Sequence, residues 1–408
     1  MQIIIPKKLQ DSEWRAQINK VANRSNSIPF DATTVKFLEA LSKSILLDRT
    51  MRAYPELMAT AHWLRKSHIM ELQKRFEQFG ISRHLRPRGT VIHFAPANVD
   101  SIFVYSWILS MLTGNKNIVR LSRRNNPQTE ILFDKINALL EQELFVEIAD
   151  RTLLVRYNHE EEYTQALSDI CQLRVIWGGD QSVRSIRACS LPPSAVELVF
   201  PNRYSKAIIQ ASSVNELEDA ALDDLSKKFY NDALWFGQMA CSSPREVYWI
   251  GESEEVEMAK AKFWEFVDRT IDKEGYKNET YMNVLRLTTA DFLAAQDYSD
   301  HVFTEGAHKT VRVGMNAIHG EYNTVHCGGG LFLEYQIHHI NELTEAINES
   351  VQTLSYFGIS KDQLVDFMNQ LPHGGVDRIV PFGQALHFDS VWDGYDLLVY
   401  LTREVIIN

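Results

Sequence analysis

A chain of 408 residues, 45% hydrophobic and 23% charged, has the composition of a soluble globular protein and enough material for two or three packed domains. Its net charge of −11 argues against nonspecific nucleic-acid binding, which needs clustered positive charge. Four widely spaced cysteines form no disulfide framework, which fits a reducing compartment. The N-terminus places its short apolar run before its charges, the reverse of a signal peptide, and the longest apolar stretch, 101–113, is too short to cross a bilayer. A cytoplasmic protein without a membrane span is expected.

Residues 1 to 85 read as polar and helix-rich, with Phe37, Leu38, Leu41 and Ile45 at helical spacing, as are Leu57, Ala61 and Leu64. From Gly89 short apolar runs alternate with amphipathic ones. Strands are expected over 90–95, 117–121, 152–156, 173–177, 196–200 and 207–210. Helices are expected over 99–112, 127–144 and 181–189, the second with Asn126 as N-cap and Pro127 at its first position. This alternation predicts a parallel α/β sheet covered by helices on both faces. After Cys241 comes a second α/β set, with strands over 246–250, 310–314 and 331–334 and helices over 254–271 and 361–370. The tail, 395–407, is apolar and strand-like. Such an edge strand needs cover, from another subunit or from within the chain's own sheet.

Chemistry concentrates at Trp235–Arg245, Trp-Phe-Gly-Gln-Met-Ala-Cys-Ser-Ser-Pro-Arg. Small neighbours let a carbonyl approach Cys241 and leave backbone N–H groups to stabilise an oxyanion. A buried, inert cysteine is the alternative. Cys327, in His326-Cys327-Gly-Gly-Gly330, is the rival nucleophile. No phosphate-binding G-x-x-x-x-G-K-[ST], no G-x-G-x-x-G and no zinc-ligand spacing occurs. The pair His338-His339 reads as structural or solvated. Ser122, Arg123 and Arg124 end a strand where an arginine would accommodate the 2′-phosphate of NADP, although a solvated basic turn is equally compatible. Gly178 and Gly179, between a strand and a helix, leave room for a diphosphate at the helix N-terminus or form a plain tight turn. Asn98, at the mouth of a helix, is an oxyanion donor or an ordinary N-cap.

Together these segments resemble the LuxC acyl-CoA reductases. The residues that carry the resemblance are His93-Phe-Ala-Pro-Ala-Asn-Val99, Gly114–Ser122, Asn126-Pro-Gln128, Val175–Arg187, Gln238–Arg245, Gly375–Leu386 and Trp392–Asp396. The family is in turn similar to the aldehyde dehydrogenases. That implies an α/β fold with a Rossmann-like cofactor domain, an α/β catalytic domain and a strand bridging subunits. Domain limits follow as an N-terminal helical region (1–88), a cofactor-binding domain (89–234), a catalytic domain (235–385) and a C-terminal segment (386–408).

By the same resemblance Cys241 is the nucleophile and Asn98 the oxyanion asparagine. Arg120 and Ser122 fall where a lysine and its neighbours hold the adenosine ribose, and Gly178 and Gly179 cover the diphosphate. Hydrolytic aldehyde dehydrogenases keep a water-activating glutamate near the strand before Lys206. Phe200 falls there, with Glu197 close by, so a thioester should persist long enough to receive hydride. The resemblance therefore implies NADPH-dependent reduction of an acyl thioester such as a fatty acyl-CoA to the aldehyde. An acyltransferase or a non-catalytic component of a fatty acid reductase-like complex are the alternatives. Expected partners are the acyl thioester, an acyl-adenylate-forming synthetase and further copies of the chain.

Overall fold

The computed structural model describes residues 1–10, 12–80, 84–96, 102–123, 127–277, 279–296, 298–304, 309–318, 325–372 and 374–407. Asn98, Arg124 and Asn126 lie outside them. The chain forms two compact units, Met1–Asn202 with Asp389–Asn408, and Arg203–Phe388.

In chain order the strands of the first unit begin with β1 (Gln2–Ile5), β2 (His84–Pro87), β3 (Thr90–Phe94) and β4 (Lys116–Leu121). They continue with β5 (Thr152–Arg156), β6 (Leu173–Trp177) and β7 (Val196–Phe200). Its main sheet has the order β1-β5-β4-β3-β6-β7. All of it is parallel except β1, which runs antiparallel to β5. Every residue of β3, β5 and β6 is buried, as a sheet covered on both faces requires. Counted from β3, the parallel strands lie in the order 3-2-1-4-5, and the winding reverses between β3 and β6. A crevice therefore opens beyond the carboxyl ends of these strands.

The described residues up to Gly80 include the helices Trp14–Ala22, Ala32–Leu46, Pro55–Trp63 and Lys66–Gly80, the second and third of them where the apolar spacing predicted helix. Ala32–Leu46 starts where the Asp31 carboxylate accepts the N–H groups of Thr33 and Thr34 at 2.9 and 3.2 Å. The helical reading of this region misses β1, whose Ile3 and Ile5 are buried against the sheet.

The second unit contains β8 (Tyr204–Gln210), β9 (Pro244–Ile250), β10 (Ser299–Thr304) and β11 (Val311–Met315). It continues with β12 (Leu331–Ile337), β13 (Val351–Phe357) and β14 (Arg378–Pro381). These pair in the order β10-β11-β12-β9-β8-β13-β14, with only β10 antiparallel among the described strands. The helix Asp219–Leu234 packs Leu222, Leu225 and Phe229 with Val247 and Trp249 of β9. Thus β8 and this helix, which the sequence reading put before a boundary at 234, belong to the sheet that carries Cys241. The chain crosses between units at Asn202–Arg203 and returns at Phe388–Asp389.

The tail corrects an expectation. It is not one strand over 395–407. Residues Val391–Trp392 (β15) and Tyr395–Asp396 (β16) form a small hairpin, Leu397–Tyr400 is a helical turn, and Thr402–Val405 (β17) pairs antiparallel with β2. The Asp396 carboxylate caps the turn by accepting the Leu398 N–H at 3.1 Å. Leu397, Leu398 and Leu401 are buried within the first unit, which is why the run is apolar.

Candidate functional site

Beyond the carboxyl ends of β3, β4 and β5 lies a shallow cleft open to solvent. Among the described residues it is lined by Ala95, Pro96, Phe103, Leu121, Ser122, Thr129, Phe133 and Arg156. The Ala95 N–H donates to the Arg120 carbonyl at 3.0 Å, so the β3 end that forms one wall is tied to β4. Ser122 thus lines a cleft on the β4–β5 side of β3.

Two of the expected arginines do not line it. The Arg120 guanidinium donates to the Asn158 carbonyl and sits 5.0 Å from the Tyr157 ring centroid. Arg123 is exposed and lies 3.8 Å from the Glu160 carboxylate. Arg156, to which the sequence reading gave no role, does reach the cleft.

On the other side of the reversal, the Gly178 N–H donates to the Phe200 carbonyl at 3.2 Å, and Gly179 is the N-cap of the helix Asp180–Arg187. Gly179 has φ −65°, and nothing lies within 4 Å of where a Cβ would stand. The turn itself therefore does not require glycine there. The open space in front of the helix is what its missing side chain preserves.

The Glu197 carboxylate on β7 is engaged. Phe200 stacks on Trp177 with centroids 3.8 Å apart and planes 12° from parallel. Glu197 accepts from Arg174 Nε at 2.7 Å and from Arg187 Nε at 2.6 Å, one on each oxygen.

In the second unit Cys241 occupies a turn just before β9. It is exposed, whereas Cys171 and Cys189 are buried and Cys327 is half-buried. The buried-cysteine alternative therefore does not hold for Cys241. Burial pushes the Cys171 thiol up to about 12 and raises Cys189 and Cys327 as well. These three are held as thiols.

The backbone of the Cys241 turn is fastened at several points. Gln238, fully buried and at φ +64°, donates to the carbonyls of Pro244 at 3.0 Å and Leu331 at 2.8 Å, and accepts the Gly330 N–H at 2.9 Å. The Gly329 N–H donates to the Gly237 carbonyl at 2.8 Å. A Cβ at Gly328 would stand 2.9 Å from that same carbonyl, so the Gly-Gly-Gly run buys this close approach. Ser205 Oγ donates to the Cys241 carbonyl at 2.7 Å, and Ser243 Oγ to the Asp232 carbonyl at 2.8 Å. The Asp232 carboxylate accepts the N–H groups of Gly383 and Ala385 at 2.7 and 2.9 Å. Burial pushes that carboxyl up to about 7, with the N–H groups and Arg378 opposing.

Arg245 sits in a β-bulge, since Ser205 pairs with Pro244 and Lys206 with Glu246, leaving one extra residue on β9. Burial pulls its pKa down while the charge of Cys241 pushes it back up, so the guanidinium lies within the field of the sulfur. His326, half-buried nearby, is held down to about 3 by desolvation and by the Arg245 charge, and is a neutral imidazole. Behind the bulge Lys206 Nζ donates to the Glu246 carboxylate, and Tyr248 donates to the same oxygen at 2.7 Å. Gln238 and Arg245 stand in the cysteine segment itself, but only the folded turn shows what they hold. Asp232 had no signal of its own.

The His338 and His339 N–H groups both donate to the Glu342 carboxylate, which starts a short helical turn. Among the described residues no cluster of histidine, cysteine and acidic side chains has the form of a metal site. No described helix is long and apolar enough to cross a membrane.

The acyl-CoA reductase (LuxC) family model matches residues 6–269. The chain belongs to the LuxC family. Curated relatives include the long-chain acyl-protein thioester reductase of Aliivibrio fischeri, 28% identical over 176 residues, which are 41% of this chain and 33% of the relative. Long-chain acyl-protein thioester reductase 2 of Photobacterium leiognathi is 23% identical over 170 residues, again 33% of its length. The match thus spans about a third of either relative.

Among solved structures, aldehyde dehydrogenase 21 of Physcomitrella patens superposes with a TM-score of 0.68 at 10% identity, covering 95% of this chain and 88% of that one. An NAD-dependent benzaldehyde dehydrogenase of Corynebacterium glutamicum gives 0.63 at 11% identity, covering 96% and 88%. This LuxC-family chain has the aldehyde dehydrogenase fold.

Proposed function

We propose that this LuxC-family protein reduces an acyl thioester to the aldehyde through an acyl-enzyme on Cys241, with NADPH as reductant. The observation that carries the reading is the exposed cysteine, alone among four in lying open to solvent, on a turn whose backbone is fastened from several sides. Membership of the family supports acyl thioesters as the substrate class. The long-chain acyl-protein thioester reductases among its relatives support a fatty acyl group, and the acyl-CoA reductase family supports CoA as one donor.

Cys241 attacks the acyl carbonyl as a thiolate. The carbonyl π electrons move onto oxygen, and collapse of the tetrahedral adduct expels the donor thiolate. Arg245, whose guanidinium lies within the field of the sulfur, favours the ionised form electrostatically. Asn98 is assigned as an oxyanion donor by its place in the family resemblance. With both Glu197 oxygens engaged by arginines and Phe200 stacked on Trp177, neither residue activates a water. The acyl-enzyme is thereby kept for reduction.

The strand-order reversal supports a dinucleotide bound along the carboxyl ends of the sheet, with Ser122 on the β4 side and the open space before Gly179 on the β6 side. When bound it supplies the hydride that turns the acyl group into aldehyde and returns Cys241 as thiolate.

The test is a single turnover with radiolabelled acyl-CoA, resolving aldehyde from free acid. Without NADPH the label should stay on the protein, and adding NADPH should release it as aldehyde. Free acid as the dominant product at saturating NADPH would overturn the reading in favour of a thioesterase.

A further inference from the structure

The cleft beyond β3, β4 and β5 holds a cation that the sequence motifs did not single out. Arg156 ends β5, lines the cleft with Ser122 and Thr129, and has a side chain only 10% exposed. Its Nη2 donates to Glu130 Oε1 at 2.7 Å, and the guanidinium stands 5.9 Å from the Phe133 ring centroid. Phe133 and Thr129 come from the helix Pro127–Leu140, whose first turn carries Glu130. That carboxylate is 44% exposed and so can swing into water at little cost. Arg123, the more obvious candidate, is 59% exposed and faces Glu160. A solvated arginine contributes far less to anion recognition than one held in a walled cleft.

We infer that Arg156, with the Ser122 and Thr129 hydroxyls, binds the phosphomonoester on an adenosine ribose, and that Glu130 occupies the guanidinium until that phosphate displaces it. A planar guanidinium suits a phosphate because two N–H groups can meet two oxygens. The flanking hydroxyls are small donors that leave room for the ribose. Two ligands of this enzyme class carry such a group, NADPH at the ribose 2′ position and CoA at the 3′ position. The place at the carboxyl ends of β3 and β4, where a dinucleotide's ribose lies, favours the 2′-phosphate. The assignment rests on the cofactor reading above and adds the residue that makes the choice.

Calorimetric titration of the full chain with 2′,5′-ADP, 3′,5′-ADP and 5′-AMP tests it without turnover. The unmodified protein should prefer 2′,5′-ADP over both others. Arg156→Gln should weaken 2′,5′-ADP by about 10- to 100-fold, the loss of one or two charge-assisted contacts, and leave 5′-AMP unchanged. Glu130→Gln removes the competing anion and should tighten 2′,5′-ADP several-fold, again with 5′-AMP unchanged. This second variant alters a half-exposed side chain, so it answers the question even if Arg156→Gln does not fold.

Equal weakening of 2′,5′-ADP and 5′-AMP by Arg156→Gln would show a structural residue and overturn the inference. So would loss of the 2′ preference in Arg123→Ala while Arg156→Gln keeps it. A preference for 3′,5′-ADP that Arg156→Gln abolishes would keep the phosphate site but assign it to CoA. If the unmodified protein does not distinguish the three ligands, the NADPH reading fails together with the site.

Discussion

At the scale of single residues, the chemistry rests on which cysteine is exposed. Cys241→Ala should abolish the labelled acyl-enzyme and NADPH oxidation together. Cys327→Ala should preserve both, since burial holds that sulfur as a thiol. Mass spectrometry after incubation with acyl-CoA distinguishes the two. Gln238 supports Cys241 without touching substrate. Gln238→Leu would orphan the Pro244 and Leu331 carbonyls and the Gly330 N–H, at about 1–3 kcal/mol for each buried group. Urea denaturation should register that loss, and Cys241 should lose its fixed turn. Glu197→Gln should leave the rate of acyl-enzyme hydrolysis unchanged, because the carboxylate already serves two guanidiniums. A slower hydrolysis would make Glu197 the water base. Of these residues the sequence singled out Cys241 and weighed Glu197, but offered no means of seeing that Glu197 is occupied. Its partners Arg174 and Arg187 lie 23 and 10 residues away.

At the scale of elements, β8 and β9 carry a buried charge pair where the cysteine turn enters the sheet. Lys206 and Glu246 are at most 1% exposed, and burial draws the lysine pKa down against the pull of the glutamate. Lys206→Met would strand the carboxylate and should cost about 3–5 kcal/mol, whereas adding Glu246→Leu should recover most of that loss. Chemical denaturation of the single and double variants measures the difference. The Arg245 bulge between Ser205 and Lys206 depends on this register, so the single variant should also slow alkylation of Cys241. Strands β3 to β7 were legible because their apolar runs are bounded by turns and alternate with helices. Strands β13 and β14 were not, since Gln352, Thr353 and Ser355 break the apolar pattern of β13 although all are buried. Cross-strand hydrogen bonds hold this stretch, with the Thr353 N–H donating to Ser205 Oγ at 3.1 Å and Ser355 Oγ to the Lys206 carbonyl at 3.4 Å.

At the scale of the molecule, desolvation keeps a histidine strongly neutral in each unit. His93, in the first, lies within 3.1 Å of Ser106 Oγ and 3.0 Å of Asn117 Oδ1, and its pKa is down to about 4. His326, in the second, is down to about 3. In both cases the unfolded chain binds the proton more tightly, near pH 6.5. The stabilising contribution is therefore complete above that pH and is lost as pH falls through 6.5 towards the folded value. For His93 the shift corresponds to about 3 kcal/mol. Thermal melts from pH 7.5 down to 4 should show steadily falling stability, and His93→Gln should flatten part of the slope. A melting temperature that rises on acidification would contradict the neutral assignment.

The sequence by itself determined the α/β class, the identity of the cysteine segment and the family. All three depend on local runs of residues, and local order survives without coordinates. The strand spans 152–156, 173–177 and 196–200 emerged with the bounds the structure shows, because each is a short apolar run closed by polar or turn-forming residues. Only the tertiary structure decided where the chain passes between its units, and that β8 joins β9 rather than β7. It also decided that the tail packs on the first unit, with a capped turn where a strand was expected. Strand pairing is a choice among distant partners, and apolar content alone does not name the partner. The same reason governs the arginines. Arg120, Arg123 and Arg156 are alike as letters, but the strand end each occupies and the carboxylate or carbonyl each meets send only Arg156 into the cleft.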